Sequence, residues 1–246
     1  MRNLLRVTLP DQPAALAREG GDIARLRQIA SRMSAVASLG EILNEIGGFV
    51  AETARHETCG VYVVEGDQLV ARSAQTSRPD ILHRVNVQAV IDATGWTAGN
   101  PEFLAVARNA SDDSRVRLFF REQLEDRFES FHSIPMVNAG RLVGLVNLLG
   151  RERGPAIDEH DVEMMATAAL LAGAEIERIR LAGENEQLAQ RLLARKIVER
   201  AKGILQRNLQ LSEEEAYLML QRESRKRRKP MKEVAEAIVL GEEVKK

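Results

Sequence analysis

The sequence is poor in several features, and each shortage excludes a class of protein. Its 246 residues include a single cysteine, Cys59, so an internal disulfide and a two-thiol redox centre are both excluded. No apolar run is long enough to cross a membrane. The first residues interrupt their apolar character with Arg6, Pro10 and Asp11, so no signal peptide is predicted. We therefore expect a cytoplasmic protein with no membrane partner.

The patterns of a catalytic or metal centre are also missing. The histidines His56, His83, His132 and His160 have no spacing typical of paired metal ligands. The sequence contains neither a phosphate-binding glycine loop nor a nucleophile motif, and its carboxylates are scattered over polar segments. We therefore predict no catalytic residue, no metal, no cofactor and no enzymatic activity.

Charge is distributed unevenly along the chain. Residues 1–190 carry 20 Lys and Arg against 27 Asp and Glu, a net charge of −7, whereas residues 191–246 carry 15 against 9, a net charge of +6. An acidic part followed by a basic part predicts different partners for the two, with a polyanion as the candidate for the second.

Hydrophobic periodicity predicts a mobile N-terminal tail at 1–21 and an α+β domain at 22–178. The tail has no sustained period and several prolines and glycines. From Asp22, apolar residues recur at helical spacing, and two β-rich pairs follow, turning at 65–67 and 138–140. A further helix begins near residue 158. This order predicts an antiparallel sheet with helices.

The stretches "TGWTAGNP" and "FESFHSIPMVNAGRLVGLVNLL", followed by a closing helix, resemble the GAF domain family, the small-molecule sensor fold of many bacterial signalling proteins. The resemblance covers about residues 25–180. It implies a ligand pocket between the sheet and the segment from roughly Leu82 to Phe131, for a small molecule that it does not identify. The residues expected in this pocket are Trp96, Phe119, Phe131 and Ser133.

Residues 179–192 are predicted to form a helical linker. Leu181, Asn185, Leu188 and Leu192 follow the four-three-four spacing of a coiled-coil seam with one polar residue. This pattern favours a parallel homodimer. The alternative is a surface helix that packs on its own domain.

Residues 193–246 are predicted to form an all-α bundle of three short amphipathic helices. An apolar stripe from Leu193 to Leu205 marks the first helix, and Ser212 with Glu215 three residues later predicts a capping box at the start of the second. Pro230 marks the third, which is expected to stop at Gly241. Because no such helix buries its stripe alone, the three must pack on one another.

Gly203 lies inside the first of these helices, where glycine costs about 1 kcal/mol relative to alanine. We expect a compensating gain from the missing side chain. Gly203 therefore marks either a helix crossing or a place where a partner approaches the backbone.

The segment "ARKIVERAKGILQRNLQLSEEEAYLMLQRESRKRRKPMKEVAEAIV" resembles the ANTAR domain family throughout. ANTAR domains are RNA-binding modules of bacterial transcription antiterminators, and the resemblance implies binding to hairpins in a nascent leader transcript. In most members a phosphorylated receiver domain drives this output. Here a GAF-like sensor replaces the receiver, so the implied input is a small molecule or other signal.

Basic residues support the same function. Between Arg191 and Lys232 there are thirteen Lys and Arg against five glutamates, a density that favours contact with phosphates. Tyr217 is placed either to stack on an unpaired base or at the edge of the core. The alternative function is a DNA-binding regulator, since three basic helices also suit a recognition helix. The residues predicted to bind RNA are Arg195, Lys196, Arg200, Lys202, Gly203, Tyr217, Arg222, Arg225, Lys229 and Lys232.

Overall fold

The computed structural model describes residues 12–54, 58–75, 84–100, 102–106, 108–120, 128–150 and 157–244, without the side chains of 12–19, 58–59 and 74–75. The chain divides into two compact units, with the boundary between Ile179 and Arg180. The first unit combines a sheet with helices, and the second is entirely helical. The predicted α+β class is confirmed.

Unit 1 is built on a six-stranded antiparallel sheet with strand order β3-β2-β1-β6-β5-β4. Both predicted hairpins are present. The first turns at Gly66 and Asp67, and the second turns at Ala139 and Gly140. The strands are β1 Thr58–Glu65, β2 Gln68–Gln75, β3 Val85–Asn86, β4 Leu104–Val106, β5 Ser130–Asn138 and β6 Arg141–Gly150.

Helices on one face of the sheet enclose the first core of unit 1. They are α1 Gln12–Ala35, α2 Leu39–Ala54 and the first part of α5 Glu159–Leu209. Apolar residues at helical spacing in α1, α2 and α5 meet Ile134 and Met136 of β5 and Val146 and Leu148 of β6. His160 at the start of α5 also lies 2.7 Å from Asp22 Oδ2 in α1, measured from Nε2.

Gly173 lets α5 approach the sheet closely. A Cβ placed at Gly173 would lie 2.7 Å from the carbonyl oxygen of Val137 in β5. Only glycine fits there without a shift of the helix or the strand.

The opposite face of the sheet carries a second core, which we call the aromatic cluster. Its buried aromatic residues come from the sheet and from a covering segment that contains α3 Val87–Thr94, a 3₁₀ turn at Ala110–Asp112 and α4 Ser114–Arg117. Alternation along β6 sends Leu145 and Leu149 to this cluster and Val146 and Leu148 to the first core. The aromatic members are Tyr62, Trp96, Phe103, Phe119, Phe120, Phe128 and Phe131.

The residues predicted to form a mobile tail, 1–21, fall into two groups. Residues 1–11 lie outside the described residues, whereas residues 12–21 belong to α1. Alanines are strong helix formers, and proline is tolerated in the first turn of a helix, so Pro13 and the alanines after it are compatible with this helix.

Unit 2 contains the end of α5, α6 Glu213–Arg227 and α7 Met231–Glu243. The capping box is present, since the Ser212 side chain accepts from the N–H of Glu215 and the Glu215 side chain accepts from the N–H of Ser212. Pro230 is the N-cap of α7. The helix does not stop at Gly241 but continues to Glu243, because one glycine near a helix end lowers its stability without breaking its hydrogen bonds.

Small residues form the centre of the second unit. Ala201, Ala216 and Ala235 are fully buried and come from α5, α6 and α7, which allows the helices to pack closely. Leu205, Leu220 and Val234 complete this core. Leu193 was expected on the same stripe but is 52% exposed, because it lies more than one turn before the first residues that α6 and α7 cover.

Candidate functional site

The outward face of α6 combines apolar and basic side chains. Leu218, Arg222 and Arg225 are exposed and lie opposite the buried Ala216 and Leu220, since successive helical residues are rotated by about 100°. Tyr217, 43% exposed, lies at the margin between this face and the core. On one helix, an exposed ring can stack on a base while guanidinium groups on the outward face contact phosphate.

A second candidate patch lies on α5 around Gly203, which is half-buried. This residue is turned away from Ala201 and Leu205, and a Cβ built on it would meet nothing within 4 Å. The predicted helix crossing is therefore wrong, because α6 and α7 contact the other side of α5. Arg200 and Arg207 lie three residues before and four residues after Gly203, so both are its neighbours on the helix surface.

Ion pairs divide the predicted RNA-binding residues into two groups. Four of them form ion pairs with glutamates. Arg200 pairs with Glu243, and Lys202 pairs with both Glu199 and Glu213. Lys229 pairs with Glu233, and Lys232 pairs with Glu236. Within the described part of the chain, no ion pair is formed by Arg195, Lys196, Arg222 or Arg225. The second group is free to pair with phosphate without first breaking an internal contact.

Lys202 differs from the other basic residues because it is buried. Its side chain is 8% exposed, and its Nζ lies 2.7 Å from Glu213 Oε1 and 2.9 Å from Glu199 Oε2. The hydrogen bond to Glu213 is the main cause of the raised pKa of Lys202, and Lys202 in turn lowers the pKa of Glu213. Its role as an exposed phosphate contact, expected from sequence, does not fit this geometry.

All four predicted pocket residues of unit 1 are buried. Trp96, Phe119 and Phe131 belong to the aromatic cluster, where the Phe119 and Phe131 rings stack with centroids 5.6 Å apart. Ser133 is fully buried on β5, and its Oγ donates to Asn147 Oδ1 at 2.6 Å. The structure thus places the predicted pocket residues on one side of the sheet.

Two residues of this site were missed by the sequence analysis. Asn147 is a buried amide inside the apolar run of β6, and Phe103 packs against Trp96 with ring centroids 5.3 Å apart. An asparagine in the strand "GLVNLL" was a usable signal, since buried polar groups need partners. The pairing of Phe103 with Trp96 is a tertiary contact with no sequence signal.

The described residues contain no group of three or more His, Cys, Asp or Glu side chains arranged to hold a metal ion. His132 is paired with Glu102, with Nδ1 2.7 Å from Oε1. His56, His83 and the side chain of Cys59 lie outside the described residues. In the described part of the chain, no helix is both long enough and apolar enough to cross a membrane.

Comparisons with known families agree with both units. The GAF domain model matches residues 38–178, and the ANTAR domain model matches residues 186–239. The transcriptional regulatory protein PdtaR of Mycobacterium tuberculosis is 46% identical to this chain over 59 residues. That match covers 24% of this chain and only 29% of PdtaR.

Solved structures show the same fold for the first unit. The GAF domain of an Acinetobacter phosphoenolpyruvate-protein phosphotransferase aligns with a TM-score of 0.52 and 13% identity, over 65% of this chain and 94% of that one. The corresponding GAF domain from Coxiella burnetii gives a TM-score of 0.51 and 17% identity, over 66% and 96% of the two chains.

Proposed function

Because the chain belongs to the GAF domain family and carries an ANTAR domain after its GAF domain, we propose that it is a signal-responsive transcription antitermination regulator. The ANTAR helices bind hairpin RNA in nascent transcripts, and the GAF unit senses a small molecule that controls this binding. Such a regulator acts on transcripts in the cytoplasm and catalyses no reaction of its own.

The outward face of α6 is the observation that carries the RNA-binding proposal. Arg222 and Arg225 are exposed and unpaired within the described residues, and Tyr217 is an exposed aromatic residue of the same helix. Phosphates supply most of the affinity in nucleic-acid binding, and aromatic stacking selects unpaired bases such as those of hairpin loops. The same helix therefore offers both contacts that a hairpin needs.

The position of Gly203 on α5 also supports the RNA-binding proposal. A Cβ built on Gly203 would meet nothing within 4 Å, Arg200 and Arg207 are its neighbours on the helix surface, and Lys196 lies two turns earlier on the same side. A phosphate backbone can approach a helix closely where no side chain projects. A glycine in the middle of a helix lowers the stability of the folded protein. In this proposal, Gly203 is favourable because it allows RNA binding and not because it improves packing.

We also propose that the protein acts as a homodimer paired along α5. Every residue from Arg180 to Leu193 is exposed, so the linker does not behave as a helix packed on its own domain. Leu181, Leu188 and Leu192 lie on one stripe of this helix and are 47%, 53% and 61% exposed. Pairing with a second copy would bury the stripe and provide two ANTAR units for two hairpins.

The RNA-binding proposal is tested with the full chain and a library of hairpin RNAs with randomised loops. Fluorescence anisotropy measures binding, and duplex DNA and unstructured RNA serve as competitors. Arg222→Ala with Arg225→Ala should weaken hairpin binding more than tenfold. It should also reduce the slope of log affinity against log salt by about 2, since each phosphate contact contributes about 1.

The control is Arg108→Ala with Arg141→Ala, which removes two exposed positive charges from unit 1 and should leave binding unchanged. Unchanged affinity and salt slope in the Arg222 and Arg225 variant would place the RNA surface elsewhere. Displacement of the RNA by duplex DNA would support the DNA-binding alternative. Native mass spectrometry of the protein purified from its own cells would weigh a retained ligand directly.

A further inference from the structure

Two buried donor atoms of unit 1 have no hydrogen-bond partner among the described residues. They are Nε1 of Trp96 and Nδ2 of Asn147. Trp96 is 8% exposed and Asn147 is 2% exposed, so solvent does not replace the missing acceptors. Native folds leave few buried polar groups unpaired, and each exception requires an explanation.

Asn147 is directed at the aromatic cluster. It lies between Leu145 and Leu149 on the face of β6 that contributes to this cluster, because side chains alternate along a strand. Ser133 is its partner in the β5–β6 register and donates to Oδ1 at 2.6 Å. This bond orients the amide, and its NH₂ group is left without a partner in the described part of the unit.

Trp96 belongs to the same site through a chain of direct contacts. Its ring packs on Phe103, and the backbone N–H of Phe103 donates to the carbonyl of Ser133 at 2.7 Å. Trp96 also follows the left-handed residue that ends α3, and residues 97–100 after it are exposed. The indole is therefore buried next to an exposed segment, and Phe103 connects it to Ser133.

No buried residue that the structure describes in this site is charged. In the described part of unit 1, the only buried polar or charged residues are Thr53, Ser133 and Asn147, and Thr53 belongs to α2 on the other side of the sheet. The Tyr62 hydroxyl donates to the Phe119 carbonyl, and burial raises the pKa of Tyr62, so this group stays neutral. An ionised ligand buried among these described residues would be desolvated without a counter-charge, which is unfavourable.

We propose that the aromatic cluster binds an uncharged, flat molecule whose hydrogen-bond acceptors pair with Trp96 Nε1 and Asn147 Nδ2. This inference rests on the proposed sensor function and adds the chemical class of the sensed molecule. Aromatic walls favour a planar ring system, and the two donors orient its carbonyl oxygens or ring nitrogens.

Three small probes separate these requirements. The probes share a phenyl ring and nearly the same shape. Acetophenone carries a neutral hydrogen-bond acceptor, α-methylstyrene carries no acceptor, and benzoate carries a negative charge. Trp96 is the only tryptophan, so its fluorescence reports on this site alone. Saturation-transfer NMR with the full chain gives the dissociation constants. We expect acetophenone to bind about fivefold more tightly than either of the other probes, the effect of one neutral hydrogen bond.

Two variants test the assigned donors. Trp96→Phe keeps an aromatic ring and removes the indole donor. Ser133→Ala with Asn147→Leu replaces both members of a buried polar pair with apolar groups, a change that folds tolerate well. The variant that removes the donor bonded to the ketone oxygen should reduce the preference for acetophenone over α-methylstyrene to about one. Asn44→Leu removes an exposed amide from α2 and should leave this preference unchanged.

Equal binding of acetophenone and α-methylstyrene to the wild-type protein would overturn the proposal, as would tighter binding of benzoate. A preference that survives in both the Trp96 variant and the Ser133 and Asn147 variant would also overturn it. Hairpin RNA binding is measured on the same samples. Loss of the probe preference with RNA binding intact rejects only the ligand class, whereas absence of RNA binding by the wild-type protein rejects the proposed function.

Discussion

The ammonium group of Lys202 in α5 lies 2.7 Å from the carboxylate of Glu213 in the first turn of α6. Glu199, one turn before Lys202 on α5, contacts the same group at 2.9 Å. Because the lysine side chain is almost fully covered, this contact ties the two helices together at the point where the chain reverses direction. Lys202 is therefore part of the architecture of unit 2.

Substitution of Lys202 should destabilise the helical bundle. Lys202→Ala removes the cation between Glu199 and Glu213 and leaves a gap where the lysine stem packs, so amide hydrogen exchange in α6 should become faster. Arg222→Ala is the matched control, since Arg222 is exposed and should change the free energy of unfolding by less than about 0.5 kcal/mol. Equal exchange in both variants would show that the buried ion pair contributes nothing to the bundle.

The same ion pair predicts a pH dependence. The pKa of Glu213 is lowered by Lys202, so its contribution to stability is complete above the ordinary glutamate pKa, about 4.3, and is lost as the pH falls through the lowered value. The pKa of Lys202 is raised, so its contribution is complete below about 10.4 and is lost at higher pH.

Lys202→Met removes the charge and keeps an apolar side chain. The difference in unfolding free energy between wild type and this variant should be constant near neutral pH and should shrink below about pH 4. Urea unfolding at pH 7 and pH 3 measures it. The other carboxylates titrate in both proteins and cancel in the difference, so a difference that is the same at both pH values would contradict the assigned pair.

Gly203→Ala should separate folding from binding. The added methyl group meets no other side chain, and alanine favours helix over glycine, so the unfolding free energy should rise by about 0.5–1 kcal/mol. Hairpin RNA binding should weaken, because the methyl group occupies the approach to the backbone. A variant that is stabilised and binds normally would show that this face of α5 contacts no RNA.

Gly173→Ala is the matched change in the same helix, with the opposite expectation. Its methyl group would lie 2.7 Å from the Val137 carbonyl oxygen, so either α5 or β5 must shift. Such overpacking costs about 1–3 kcal/mol, measured by thermal unfolding of unit 1. An unchanged unfolding temperature would mean that α5 does not approach the sheet this closely.

Leu181→Glu with Leu188→Glu should dissociate the proposed homodimer. Each paired helix would then present like charges along the stripe that the two copies bury. Sedimentation equilibrium over a range of concentrations measures the change. Leu193→Glu is the control, since Leu193 is equally exposed but lies on a different side of α5. A wild-type protein that is monomeric at all concentrations would exclude the pairing.

Much of the fold could be predicted from local sequence signals. The two hairpins, the capping box at Ser212 and the start of α7 after Pro230 depend on turn and cap residues a few positions apart. The separation of an acidic sensor from a basic helical unit is equally explicit in the composition. These features depend on neighbours in the chain, and so periodicity and motifs indicate them.

The environment of individual side chains was decided by tertiary structure. Lys202 and Arg222 belong to the same basic set in the sequence, yet one is buried between glutamates and the other is exposed and unpaired among the described residues. Gly203 was expected at a possible helix crossing, and the packing directions of α6 and α7 leave it open. The free amide of Asn147 exists because the β5–β6 register places Ser133 opposite it. Burial and pairing arise from residues distant in the chain, which local patterns do not specify.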